Sequence, residues 1–173
     1  MRGAGVSAES SPVRKSAAGR ALVLAAAIAV ASTQAAYSKT IWVYAQFPDS
    51  EGSGPRHTVQ TRIEYDGAVA SLAFVCSRGN LVLTVVATWP IAAVLRYRFP
   101  PETAQFLAGN TPVPSAAVFQ GAEVRKLFET ALIRRELMVR IPGPRTITEK
   151  TLELDGFAEK AQPLKDACGE KEK

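Results

Sequence analysis

The chain has 173 residues, 47% hydrophobic and 21% charged, with a formal net charge of +5, one histidine and two cysteines. One histidine leaves a His-based metal site or a hydrolase triad short of partners. The positive balance does not argue for nucleic acid. Arg2, Arg14, Lys15, Arg20 and Glu9 all fall in residues 1–36, so residues 37–173 keep 17 basic and 15 acidic groups, a net of +2.

Residues 1–36 have the order of a secretory signal peptide. Arg14, Lys15 and Arg20 are followed by the uninterrupted apolar run Ala21 to Ala31 and then by small residues, with cleavage expected after Ala35 or Ala36. The run is shorter than the ~20 residues a bilayer-spanning helix needs. An uncleaved signal anchor is the alternative reading. No cysteine follows the run and no Arg-Arg pair precedes it, so neither a lipid anchor nor twin-arginine export is indicated. The expectation is therefore one exported domain over residues 37–173, ending in a charged tail, large enough to bury its own core and located in the periplasm or outside the cell. Outside the cytoplasm disulfides persist. The two cysteines, Cys76 and Cys168, permit one intrachain bond. In the chain-entropy treatment, closing a loop of ~90 residues contributes roughly 4–5 kcal/mol. Two free buried thiols would suit a cytosolic protein instead.

Ile41 to Phe47 is rich in β-branched and aromatic residues and predicts a first strand; the Gly-, Ser- and Pro-rich stretch after it reads as loop. The next segment places Val59, Thr61, Ile63 and Tyr65 on one face, and Asp66-Gly67 is a two-residue hairpin signal. Leu72, Phe74 and Cys76 share a face of the following strand, which turns at Ser77 to Asn80 into an apolar strand ended by Pro90. Leu95, Tyr97 and Phe99 then alternate with Arg96 and Arg98. Residues 100–121, with four prolines, read as loop with one short strand near Val118-Phe119.

From Ala122 the period changes. Val124, Leu127, Phe128, Ala131 and Leu132 predict a helix, with Arg134 and Arg135 expected at its C-terminal end, where the helix dipole favours cations. Glu136 to Ile141 and residues 146–154 return to alternation. Phe157, Ala161, Leu164 and Cys168 lie on one helical face, with Pro163 expected to kink the helix or to start a second one. The fold expected is mainly β with two helices (α+β), an antiparallel β-sandwich or meander onto which Cys76–Cys168 ties the C-terminal helix.

Chemistry is sparse. His57 sits at a loop-to-strand junction, residues 52–54 form no phosphate cradle, and the acidic residues are scattered. No catalytic, cofactor or metal residue is predicted. The cysteines lie too far apart in sequence for the usual Cys-x-x-Cys redox couple. Arg96, Arg98 and Arg140 occupy outward faces of two predicted strands. If those strands are neighbours, the arginines form a basic strip able to meet an anionic polymer or partner; the plain alternative is a solvated sheet face. Trp42, Tyr44 and Trp89 read as core aromatics.

Four segments, LAFVCSRGNLVLTV, LRYRF, KLFETALIRRELMVRI and LELDGFAEKAQPLKDACG, together resemble the VasI/TagO-like family of small periplasmic proteins associated with type VI secretion. The resemblance covers roughly residues 70–169 and matches Cys76, Tyr97, Arg98, Gly156 and Cys168. It implies an exported β-rich domain with one disulfide and a non-enzymatic accessory or adaptor role in the cell envelope. The partner it implies is an envelope protein or a cell-wall polymer; nucleic acid is not, and the membrane is met only through the signal segment before cleavage. The invasion-associated locus B-like periplasmic proteins are also similar, in the closing Gly-Phe-helix element, and would imply a stress or host-interaction factor. A cell-wall hydrolase is the competing enzyme class.

Overall fold

A computed structural model describes residues 39–48, 54–65, 67–142 and 149–169. The expected signal peptide, residues 1–36, lies outside the described residues. The fold belongs to the unit Tyr37–Lys173. It is mainly β with two helices, as the alternation predicts. In chain order the elements are β1 (Val43–Phe47), β2 (Arg56–Tyr65), β3 (Ala68–Ser77), β4 (Asn80–Ala87), β5 (Val94–Arg98), β6 (Gln105–Ala108), β7 (Asn110–Val113), β8 (Ala116–Gln120), α1 (Ala122–Ala131), β9 (Glu136–Arg140), β10 (Glu149–Glu153) and α2 (Phe157–Cys168).

Two antiparallel sheets result. The first has the order β1-β2-β3-β4-β8-β7 and the second β10-β9-β5-β6. The alternation explains the inner face of the first. Val59, Phe74, Leu83 and Phe119 are directly opposed across four neighbouring strands, and all are buried. The inner face of the second sheet is built the same way, from Leu152 opposite Leu137, Val139 opposite Tyr97, and Leu95 opposite Leu107. The β3–β4 connection is a two-residue turn in which Arg78 (φ 54°) and Gly79 (φ 74°) are both left-handed, as a type I′ hairpin requires.

The two sheets share one core, and two indoles tie their backbones together. Trp42 Nε1 donates to the Glu153 carbonyl at 2.8 Å, and Trp89 Nε1 donates to the Pro142 carbonyl at 2.6 Å. Trp42 and Trp89 are buried as expected; Tyr44 is half-buried, packed against the core. The helices turn Val124, Leu127, Phe128 and Ala131 of α1, and Phe157, Ala161, Leu164 and Cys168 of α2, into the core. Phe157 meets Trp42, Phe74 and Phe128 at ring-centroid distances of 4.6, 5.8 and 6.0 Å. Cys76 and Cys168 are disulfide-bonded, joining α2 to β3.

Two local expectations are corrected, and of the two alternatives at Pro163 one is ruled out. Residues 100–121 are not a loop with one short strand: they hold β6, β7 and β8. Pro112 is accommodated because β7 is the edge strand of the first sheet, where a missing N–H need not break a ladder. Gly109 alone links β6 of one sheet to β7 of the other. A Cβ there would lie 2.3 Å from the Val118 carbonyl oxygen, so only glycine allows so close a crossing. Arg134 and Arg135 do not close α1, which ends at Ala131 and is capped at Leu132. Arg134 instead pairs with Glu102, and the Arg135 carbonyl accepts from the Leu154 N–H at 2.8 Å. Pro163 does not start a second helix; α2 runs through it as one element. The carbonyl that Pro163 cannot bond belongs to exposed Glu159, where water can reach it, while the opposite face is pinned by burial and by the disulfide.

Candidate binding cleft on the second sheet

Strands β5 and β9 are neighbours, so the arginines come together. Because Leu95, Tyr97 and Phe99 of β5 and Leu137, Val139 and Ile141 of β9 are buried inward, the alternating residues Arg96, Arg98 and Arg140 must project outward. Arg96 is directly opposite Arg140. The row continues on both sides, with Glu149 of β10 opposite Arg140 and Phe106 of β6 opposite Arg96. Cross-strand neighbours on one face therefore read Glu149, Arg140, Arg96, Phe106.

Arg96, Arg140 and Glu149 line a cleft of about 530 Å³ together with Arg98, Pro101, Glu102, Thr103 and Ala104; Phe106 lies outside this lining, beside Arg96 on the same face. Its charges are unevenly paired. Arg98 grips Glu149 with two bonds, Nε to Oε1 at 3.3 Å and a terminal nitrogen to Oε2 at 2.7 Å. That bonding holds the Glu149 carboxyl below its ordinary range against the opposing effect of desolvation, with the charges of Arg98, Arg96 and Arg140 adding to it, and it raises the Arg98 guanidinium in turn. Glu102 is bonded to Arg134. Arg96 and Arg140 have no carboxylate bonded to them among the described residues, and residues 143–148 contain no acidic side chain. Arg96 Nε is buried without a hydrogen-bond partner. The Arg96 guanidinium lies 5.9 Å from the Phe106 ring centroid, within cation–π range. Phe106 is 65% exposed.

Such an arrangement can bind an anion. Two guanidinium groups with no carboxylate bonded to either among the described residues face one another across adjacent strands, and a carboxylate or phosphate accepts from such forks in pairs. Sequence alternation located the arginines. It missed Phe106, Thr103 and Glu102, which fall in the stretch read as loop. Glu149 was legible only as one polar position on an alternating strand.

The other residues carried by sequence or resemblance are structural in place. Tyr97 is buried and donates to Gln105 Oε1 at 2.8 Å; burial first, then the charges of Glu123 and Glu102, push its hydroxyl up. Gly156 stands in the left-handed region (φ 75°) at the start of α2. His57 Nδ1 lies 2.8 Å from the Tyr44 hydroxyl. Among the described residues no group of three or more His, Cys, Asp or Glu side chains converges on a metal position, and no helix is long and apolar enough to cross a membrane. The disulfide is compatible with an oxidising extracytoplasmic compartment. Comparison with protein-family models, with curated proteins and with solved structures found no match.

Proposed function

We propose that the protein is an exported, non-enzymatic accessory or adaptor of the cell envelope, held to an anionic group of its partner by the Arg96–Arg140 cleft. The observation that carries the reading is the pair of directly opposed arginines left without a bonded carboxylate among the described residues. The signal-like residues 1–36 and the disulfide support a periplasmic or secreted location. The resemblance to VasI/TagO-like proteins supports a role beside type VI secretion. That form of the reading predicts that the gene lies beside sheath and baseplate genes.

The test is expression of the full chain followed by cell fractionation, with thiols blocked before any reduction. The expected product lacks the leader, leaves the cell interior with no alkylatable thiol, and is retained on purified envelope material. Retention should be lost when Arg96 and Arg140 are both replaced by alanine. A cytoplasmic product with two alkylatable thiols, or retention indifferent to the double substitution, overturns the proposal.

A further inference from the structure

The cleft is not simply basic, and its mixture of groups narrows the ligand. Two carboxylates, Glu102 and Glu149, stand among the lining arginines. They would repel a second or third anionic group on a ligand, which disfavours a polyanion or an acidic run of peptide. Glu149 spends one acceptor position of each oxygen on Arg98 and keeps others for incoming donors. The Thr103 hydroxyl, on the same lining, both donates and accepts. Hydroxyl groups on a ligand therefore find partners where further charges do not.

The remaining features fix where the single charge and the apolar surface of that ligand go. Arg96 and Arg140 face one another with no carboxylate bonded to either among the described residues, so one two-oxygen anion can accept from both. Next in the row, Phe106 presents an exposed ring to solvent beside Arg96. An aromatic face is electron-rich and attracts the slightly positive C–H groups of a flat polyhydroxy ring.

Building on the adaptor reading above, we infer that the cleft is a subsite for an acidic sugar: a polyhydroxy ring carrying one anionic group, carboxylate or phosphate. The anion sits between Arg96 and Arg140, the ring stacks on Phe106, and its hydroxyls bond to Glu149 and Thr103.

The inference is tested by NMR titration of the full exported chain with N-acetylmuramic acid, N-acetylglucosamine 1-phosphate and neutral N-acetylglucosamine. Acetate, inorganic phosphate and tetraglutamate are the controls. One or both acidic sugars should bind at least about tenfold more tightly than the neutral sugar, the scale of one charge-assisted contact. Which acidic sugar binds identifies the anion. Arg96→Ala or Arg140→Ala should abolish the preference. Phe106→Ala should weaken the acidic sugars about threefold to tenfold while leaving their advantage over the neutral sugar. Arg62→Ala, on the other sheet, should change nothing, and the dispersion of the amide spectrum reports folding of every variant. Equal binding of neutral and acidic sugars, or no sugar binding, overturns the inference. Acetate or phosphate binding as tightly as the sugars with no effect of Phe106→Ala makes the cleft a bare anion site, and tighter tetraglutamate makes it a peptide site. Either result overturns the sugar inference and leaves the envelope reading standing if envelope retention still depends on Arg96 and Arg140; loss of that dependence removes both.

Discussion

Arg96 and Arg140 stand opposite each other on neighbouring antiparallel strands, and Glu149, the carboxylate opposite Arg140 on the next strand, is already bonded to Arg98. Like charges in direct opposition destabilise a sheet. Here Glu149 offsets part of the cost, its carboxylate interacting with all three arginines.

That relationship has opposite consequences for its members. Arg140→Gln should leave the melting temperature unchanged or raise it slightly, because it relieves the opposition. Glu149→Gln should lower it, because three guanidiniums lose their shared counter-charge. The pH dependence follows in sign. The folded Glu149 pKa is depressed, so its stabilisation is present above the ordinary glutamate pKa of ~4.3 and lost as pH falls through the lower folded value. Thermal melts from pH 7 to pH 2 should converge for wild type and Glu149→Gln at the acid end.

The Cys76–Cys168 bond closes 92 residues of sequence separation. Replacing both cysteines with alanine should cost about 4–5 kcal/mol by chain entropy. Guanidinium titration measures the loss, and hydrogen exchange should show α2 opening first, since the bond joins it to β3. A variant as stable as wild type would mean that the cross-link contributes nothing beyond the packing of α2.

Phe157 is fully buried against three aromatic rings, of Trp42, Phe74 and Phe128. Phe157→Ala should cost about 3–5 kcal/mol. Combined with loss of the disulfide, the effects should be less than additive, because both changes release the same helix from the first sheet. A double-mutant cycle by denaturant titration measures the coupling.

The Tyr65 hydroxyl is buried and makes no bond of hydrogen-bonding geometry. Burial pushes its pKa to about 12, opposed only weakly by the nearby Ile141 backbone. A raised folded pKa means stability that is full below the unfolded value of ~10 and declines as pH rises toward the folded one. Tyr65→Phe should therefore be close to neutral at pH 7, where no bond is lost, and should resist unfolding better than wild type between about pH 10 and pH 12. Chemical denaturation at pH 7 and pH 11 compares them.

The sequence by itself determined which faces are buried. Val59, Thr61, Ile63 and Tyr65, then Leu72, Phe74 and Cys76, then Leu95, Tyr97 and Phe99 repeat every second residue, and Phe157, Ala161, Leu164 and Cys168 recur on one helical face. Each periodicity records a local element pressed against a core, and all these residues are buried. The two cysteines were enough to propose the bond that joins α2 to β3. Only the tertiary structure decided which strand lies beside which. Periodicity says that a side chain turns inward or outward, and nothing about its neighbour across a ladder. Hence β4 pairing with β8, the short edge strands hidden among the prolines of residues 100–121, and Arg134 leaving the helix end for Glu102 were not legible. The cleft shares that origin. Its arginines are exposed positions in two separate alternations, and they become a site only because antiparallel pairing sets Arg96 against Arg140, between Phe106 and Glu149.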